Sequence, residues 1–481
     1  MQIPFVGTSY TSRSPNFSSQ TCINFFPIID ESGEAKSVKA LQGTPGSRLL
    51  ATLPWNGGIR AEHAPFDFDA IVVSGNSVYR VFKNFSSQLV GTLNTSSGYV
   101  SIADNGVTAI IVDGLFGYKL ELATNAFSQI VDPAFYGSQR VTYLDNYFIF
   151  VRPNTQIFYI TGVGEITFDA LDFASSEGHP GNIVTHFVDH REIWIFGPTS
   201  ISIFVDSGAT DFPFARTSTS IEAGCSAANS VCKLDNSIIW LGKNERGAGM
   251  VWRANGYTPI RISTDAIEFA IQGYDVIDDA IAYSYQQDGH EFYQLSFPSA
   301  NATWVYDATA SGQAGLSIWH QRAWRNPLTG SLNRHRSNCH MYFGGQHIVG
   351  DFENGNLYAL DLDYYSDNGD ELPAIRTTGY VKNKDNHWMI FDALQVDMET
   401  GVGLQNGQGS DPKCILEWSD DGGHTFSNEH IKSIGKVGKY QHRARWTRMG
   451  RSRQRVFRLT ITDPVKRFIN GANADVRVSK T

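Results

Sequence analysis

Long apolar runs are missing from this 481-residue chain: none approaches the roughly 18 residues a helix needs to cross a bilayer. The opening Met1-Gln2-Ile3-Pro4-Phe5 has neither the basic start nor the apolar centre of a secretory signal. The expectation is a protein made in the cytoplasm, with no membrane insertion. Cysteine is scarce and odd in number: Cys22, Cys225, Cys232, Cys339 and Cys414, with no C-x-x-C pair. That argues against a disulfide framework and for reduced, buried thiols. Charged residues make up only 18%, little for a helical surface. A phosphate-binding Gly-Lys loop, a G-x-S-x-G elbow and an H-E-x-x-H pair are all absent, so the sequence offers no familiar catalytic motif.

Glycine and aromatic residues are abundant, with 45 Gly, 30 Phe, 20 Tyr and 10 Trp. Aromatic side chains fit a pleated, half-buried surface, and glycine supplies the positive φ of tight hairpins. One phrase recurs from about residue 69 to 370: alternating strand, polar turn, strand, Asn- or Gly-rich turn, strand. Ala70-Ile71-Val72-Val73, Gly75-Asn76-Ser77 and Val78-Tyr79-Arg80-Val81-Phe82 form one copy. Others turn at Asp145-Asn146, Asp189-His190, Asp235-Asn236, Asp288-Gly289 and Asn354-Gly355-Asn356. A spacing of roughly 35–50 residues suits four-stranded propeller blades, about six or seven of them. The helical exception is residues 263–271, with Ser263 or Thr264 as N-cap.

The fold expected is therefore all-β. Residues 1–50 lack the repeat and read as an N-terminal arm, with a docking strand at Ile23-Asn24-Phe25-Phe26-Pro27-Ile28. Residues 51–371 form the β-propeller. Past a polar, turn-rich stretch at 364–371 the texture changes, and 372–481 reads as a C-terminal β-sandwich.

Candidate chemistry is thin. Ser419-Asp420-Asp421-Gly422-Gly423-His424-Thr425-Phe426 matches the Asp-box hairpin that recurs in sialidases and related propellers. Its simplest reading is a turn, the Asp421 side chain accepting from nearby backbone amides. Glycoside cleavage needs two facing carboxylates, and nothing selects a pair from Asp278, Asp279, Glu291 and Asp307. His335, Cys339, His340 and His347 fit no common zinc spacing. No metal or cofactor is expected, and no enzymatic activity.

Charge says more. The chain carries a net −9, yet residues 432–467 hold twelve Lys or Arg against one acid, Asp463, for a local +11. Arg443, Arg445, Arg448, Arg451, Arg453 and Arg455 stand out as a partner interface, because like charges this dense repel unless something acidic covers them.

Several phrases resemble the packaged-DNA stabilisation proteins of short-tailed phages, also called tail accessory, nozzle or hub proteins. They include Ile23-Asn24-Phe25-Phe26-Pro27, Ala40-Leu41-Gln42-Gly43-Thr44-Pro45-Gly46 and Ile262-Ser263-Thr264-Asp265. The resemblance is densest at Gly289-His290-Glu291-Phe292-Tyr293, Thr303-Trp304-Val305-Tyr306-Asp307 and Trp319-His320-Gln321-Arg322. It implies a virion tail component, assembled in the host cytoplasm as a homo-hexameric ring beneath the head-to-tail adaptor ring. Such a ring closes the channel after packaging, supports the tail needle or tip, and carries fibres or spikes. Double-stranded DNA passes through it without sequence-specific binding. The alternative is a glycan-binding or glycan-cleaving propeller acting as a receptor-binding protein.

Overall fold

The structure, a computed structural model, describes residues 1–55, 57–176, 181–244 and 247–479. Within them the repeat resolves into seven blades. Six are contiguous in sequence, at residues 59–92, 101–129, 141–175, 185–221, 224–261 and 281–321. The seventh takes Ser337–Phe343, Gln346–Asp351 and Asn356–Asp361 from its own stretch and its outer strand, Gly46–Thr52, from near the N-terminus. Its inner strand packs against Ile59–His63 of blade one, which closes the ring. Closure leaves no long sheet edge around the circle.

The hairpin turns explain the repeat. Asp145 and Asn146 hold φ of 47° and 72°, and Asp235 and Asn236 hold 46° and 53°. A two-residue type I′ turn needs this left-handed pair, which Asp and Asn tolerate. The turn expected at Asp189-His190 falls one residue later, on His190 and Arg191 (48° and 63°). Asp189 stays in its strand, paired with Glu192, and its buried carboxylate binds Lys233 at 2.8 Å. Thr264 caps the helix Asp265–Gln272 as expected. A second helix, Ala308–Ala314, was not expected. Its sequence ATASGQA has little periodicity, but Asp307 caps it by accepting from the Ala310 amide at 2.9 Å.

The sandwich has two sheets. One runs Ala444–Thr447, Trp388–Met398, Phe468–Ser479, Lys39–Gly43, Phe25–Ile29, with Gln2–Ile3 and Arg451–Ser452 paired at its flanks. The other runs Cys22–Ile23, Ala374–Thr377, Gln454–Ile461, Lys413–Ser419, His430–Ser433, and it does not stop at the domain boundary. Ile23 pairs antiparallel with Ile375 and parallel with Gln321 of blade six, so a ten-stranded sheet joins the domains.

Residues 1–50 are therefore not an arm. They supply strands to both sandwich sheets and begin the strand that closes the propeller. Ile3, Phe5, Cys22, Phe25, Phe26 and Leu41 are all at most 1% exposed. The segment lacks the repeat because its strands are shared out among four sheets: both sandwich sheets, the blade-seven sheet and a two-stranded ribbon, Tyr10–Thr11 with Ser19–Gln20. Gly46 marks a close approach of two backbones, since a Cβ there would lie 2.1 Å from the Tyr364 carbonyl oxygen.

Buried polar groups pin this threading. Asn24, at φ 53°, donates from Nδ2 to the Ala323 and Pro373 carbonyls (both 2.8 Å) and accepts from the Ala323 amide (3.0 Å). Arg376, fully buried, donates to the carbonyls of Phe5, Thr8 and Thr21. Arg467 reaches the carbonyls of Leu372 and Tyr365 in the interdomain connection. Asp367 accepts from the Ser47 hydroxyl at 2.9 Å.

Two outcomes follow from these groups. Asn24→Ala strands three buried backbone partners and should cost roughly 2–4 kcal/mol in urea unfolding. Burial pushes the Asp367 carboxyl up to about 6, a rise that Ser47 and Arg467 only partly oppose. The folded chain therefore holds this proton more tightly than the unfolded chain. The stability it contributes is full below the unfolded carboxyl value and is lost as pH rises through about 6. Asp367→Asn should match the parent at acid pH near the unfolded value and exceed it by roughly 1–3 kcal/mol at neutral pH. Melts across that range check both ends.

Candidate interaction surfaces

The basic stretch wraps the open side of the sandwich. His430–Ser433 is the last strand of one sheet, Ala444–Thr447 is the last of the other, and residues 434–443 cross between them. Edge strands expose unpaired backbone groups, and Lys and Arg along them discourage wrong pairing. Lys432, Lys436, Lys439, Arg443 and Arg448 are exposed and form no ion pair among the described residues. Arg445 meets Asp475 at 3.0 Å, an exposed contact of little energetic weight. Arg451 and Arg453 both stack over the Trp388 ring, at 4.9 and 5.2 Å from its centroid.

Arg455 does not belong to this surface, contrary to the expectation. It is 1% exposed and binds Asp420 through Nε and Nη2 (2.7 and 2.8 Å) and the Met449 carbonyl through Nη1 (2.7 Å). The reason is a change of sheet. Arg451–Ser452 pairs in one sheet and Gln454–Ile461 in the other, so the chain crosses at Arg453 and Arg455 lands inside. Arg458 is also engaged, with both Glu417 oxygens at 2.7 Å, and Arg467 is buried. The accessible set is Arg443, Arg445, Arg448, Arg451 and Arg453 with three lysines. Trp388, which the sequence reading passed over, is the aromatic body beneath two of them.

Asp421 is saturated by its own turn. It accepts from the Ser419 hydroxyl (2.7 Å), the His424 and Thr425 amides (3.1 and 3.0 Å) and the Thr425 hydroxyl (2.5 Å). Those donors, Thr425 foremost, hold its carboxyl well below the usual carboxylate range. Asp307 is likewise committed, paired with His290 Nδ1 at 2.7 Å while capping a helix. Asp279 accepts from the Ser299 amide at 2.7 Å. His340 contacts His347 at 3.1 Å, His335 contacts Ser337 at 2.6 Å, and burial pushes His335 and His340 down to about 3. Among the described residues no three His, Cys, Asp or Glu side chains converge as metal ligands do.

The inner strands of the propeller enclose a cup of about 530 Å³. The His63–Asp104 pair (2.6 Å) and Phe187 stand in its wall. Arg140 lines it too, buried, with its guanidinium on the Val231 carbonyl.

A family model described as bacteriophage P22 Gp10, beta-propeller, matches residues 1–365, and one described as bacteriophage P22 Gp10, beta-sandwich, matches residues 375–477. No curated protein matches the chain. Among solved structures, the WD40 beta propeller domain of Doa1 is 10% identical with a TM-score of 0.41, covering 65% of this chain and 96% of that one. YCF48 from Cyanidioschyzon merolae is 16% identical with a TM-score of 0.41, covering 66% and 99%. BamB from Moraxella catarrhalis is 13% identical with a TM-score of 0.35, covering 66% and 97%.

The division of the arginines into clamps and free cations has a direct check. Arg455→Glu puts a second carboxylate beside Asp420 inside the sandwich and should cost about 3 kcal/mol or more. Arg443→Glu, at an exposed position without an ion pair among the described residues, should stay within about 0.5 kcal/mol of the parent. Urea unfolding of the two variants separates these outcomes.

Proposed function

The chain belongs to the family of the bacteriophage P22 Gp10 tail accessory proteins, a component of a short-tailed phage virion, and from that premise we propose that it closes the head-to-tail channel once the genome is packaged. Copies of the chain, six in this reading, form a ring beneath the adaptor ring. The ring retains the DNA, supports the needle or tip, and carries fibres or spikes. Its work is mechanical, with no catalysis. The observation that carries the reading is the family match across both domains.

The distribution of charge supports it. Residues 1–374 carry 21 Lys and Arg against 37 Asp and Glu, whereas residues 375–481 carry 18 against 11. A net-acidic wall lets DNA slide, because like charge prevents sticking. Cations lining the channel would instead bind phosphate, with non-specific dissociation constants of roughly 10⁻⁴–10⁻⁶ M, and repetition around a ring would slow ejection. The basic sandwich edge accordingly faces an acidic protein neighbour. The saturated turn at Asp421 gives the glycan-cleaving alternative no free carboxylate there.

Phage made without this protein should fill heads and then lose the genome to added nuclease. Adding the purified chain before nuclease should protect it. Particles that retain DNA and infect normally without the chain would overturn the proposal, and tails carrying a single copy would overturn the ring.

A further inference from the structure

The basic edge of the sandwich has a counterpart on the far side of the same molecule. The loops joining the third and fourth strands of blades three and four carry Glu165, Asp169, Asp172 and Asp211, with Asp206 at the start of the second loop. None of the five forms an ion pair among the described residues. Phe158 of blade three packs against Phe212 in the blade-four loop at 5.7 Å between ring centroids, and Tyr147 against Phe214 at 5.6 Å, so the two loops are neighbours. Between them stand exposed apolar side chains: Val163 at 63%, Leu171 at 78% and Phe173 at 44%. The basic edge is mixed in the same way, with Ile431 at 52%, Val437 at 46% and Tyr440 at 75% among its cations.

The two surfaces are set apart within one chain by the order of the blades and strands. The sandwich is attached at blade six through Ile23 and Gln321. His430–Ser433 lies five strands beyond Trp319–Gln321 in that sheet, which at about 4.8 Å per strand puts it roughly 24 Å away along the sheet. Blade three is three blades from blade six, the widest separation a ring of seven allows. Unlike surfaces at opposite ends of a molecule associate head to tail, and a closing rotation makes them a ring.

We infer that the basic edge of one copy, around Arg443, Arg448, Arg451 and Arg453, docks on the acidic loops of blades three and four of the next copy. The inference rests on the ring reading and deepens it by assigning both halves of the contact. Carboxylates meet the arginines, two of which Trp388 holds in place, and the apolar side chains beside them leave water together. The occupant is a second copy because this chain itself presents the complementary charge, with exposed apolar side chains beside it on both surfaces.

The test uses the full chain assembled on DNA-filled, adaptor-bearing heads, with copies per tail counted by electron microscopy. Arg443→Glu/Arg448→Glu/Arg453→Glu and, separately, Asp169→Lys/Asp172→Lys/Asp206→Lys should each reduce complete rings about tenfold, while their combination in one chain restores them. Thermal melting confirms that each variant is folded. Complete rings with either single set, or no restoration by the pair, would overturn this contact and leave the ring reading standing. Complete rings that lose or slow their DNA in the arginine set would show that the cations serve DNA. A single copy of the unaltered chain per tail would instead remove the ring itself.

Discussion

The pairing of Ile23 with Gln321 on one side and Ile375 on the other makes blade six and half of the sandwich one sheet. Asn24 fixes that junction, with a left-handed backbone and a side chain that satisfies groups from both domains. The rest of the threading depends on it. Phe25–Ile29 and Lys39–Gly43 return as a hairpin in the opposite sandwich sheet, and Gly46–Thr52 departs to close the propeller. Main-chain bonds join the domains where a flexible linker would otherwise do so. A load on the sandwich is therefore carried into blade six by the sheet itself.

The charge of the chain is arranged on this frame in two kinds of role. Arg376, Arg455 and Arg467 lie inside and bind carbonyls or one carboxylate, so their charge serves folding. The lysines and arginines of the sandwich edge lie outside, and of the five arginines there only Arg445 has a carboxylate partner among the described residues, the exposed Asp475. Sequence position does not separate the two sets: Arg453 is exposed and Arg455, two residues on, is among the largest fully buried side chains. The crossing between sheets decides it.

The same distinction marks what was legible in the sequence. The blades were, because Asp-Asn, Asn-Gly and Asp-Gly turns between alternating strands are local chemistry, and Asp145, Asn146, Asp235 and Asn236 hold the φ that this chemistry implies. The sandwich was legible in outline for the same reason. The first fifty residues were not, since a strand such as Gly46–Thr52 is defined by a partner some 300 residues away. Arg455 was misplaced because the density of charge along the chain says nothing of where the chain changes sheet, and the crossing at Arg453 turns Arg455 inward. The helix Ala308–Ala314 depends on Asp307, whose capping role is visible only once the buried His290 pair fixes its carboxylate.

Many of the phrases that carry the family resemblance meet at the junction. Phe26 packs edge-on against His290 and Phe292, at 5.1 and 5.4 Å between ring centroids. His290 bonds Asp307, and Trp319 donates from its indole to the Ile262 carbonyl at 2.9 Å, tying blade six to the segment before the first helix. Arg322, 1% exposed, lies over Tyr285 and Phe292 at 5.4 Å from each centroid. These motifs thus belong to the place where two domains and the N-terminal strands are joined. A joint of this kind couples the two domains through buried side chains as well as through the shared sheet. Rotation of the sandwich against blade six would break the ladder at Ile23 and expose Phe26 together.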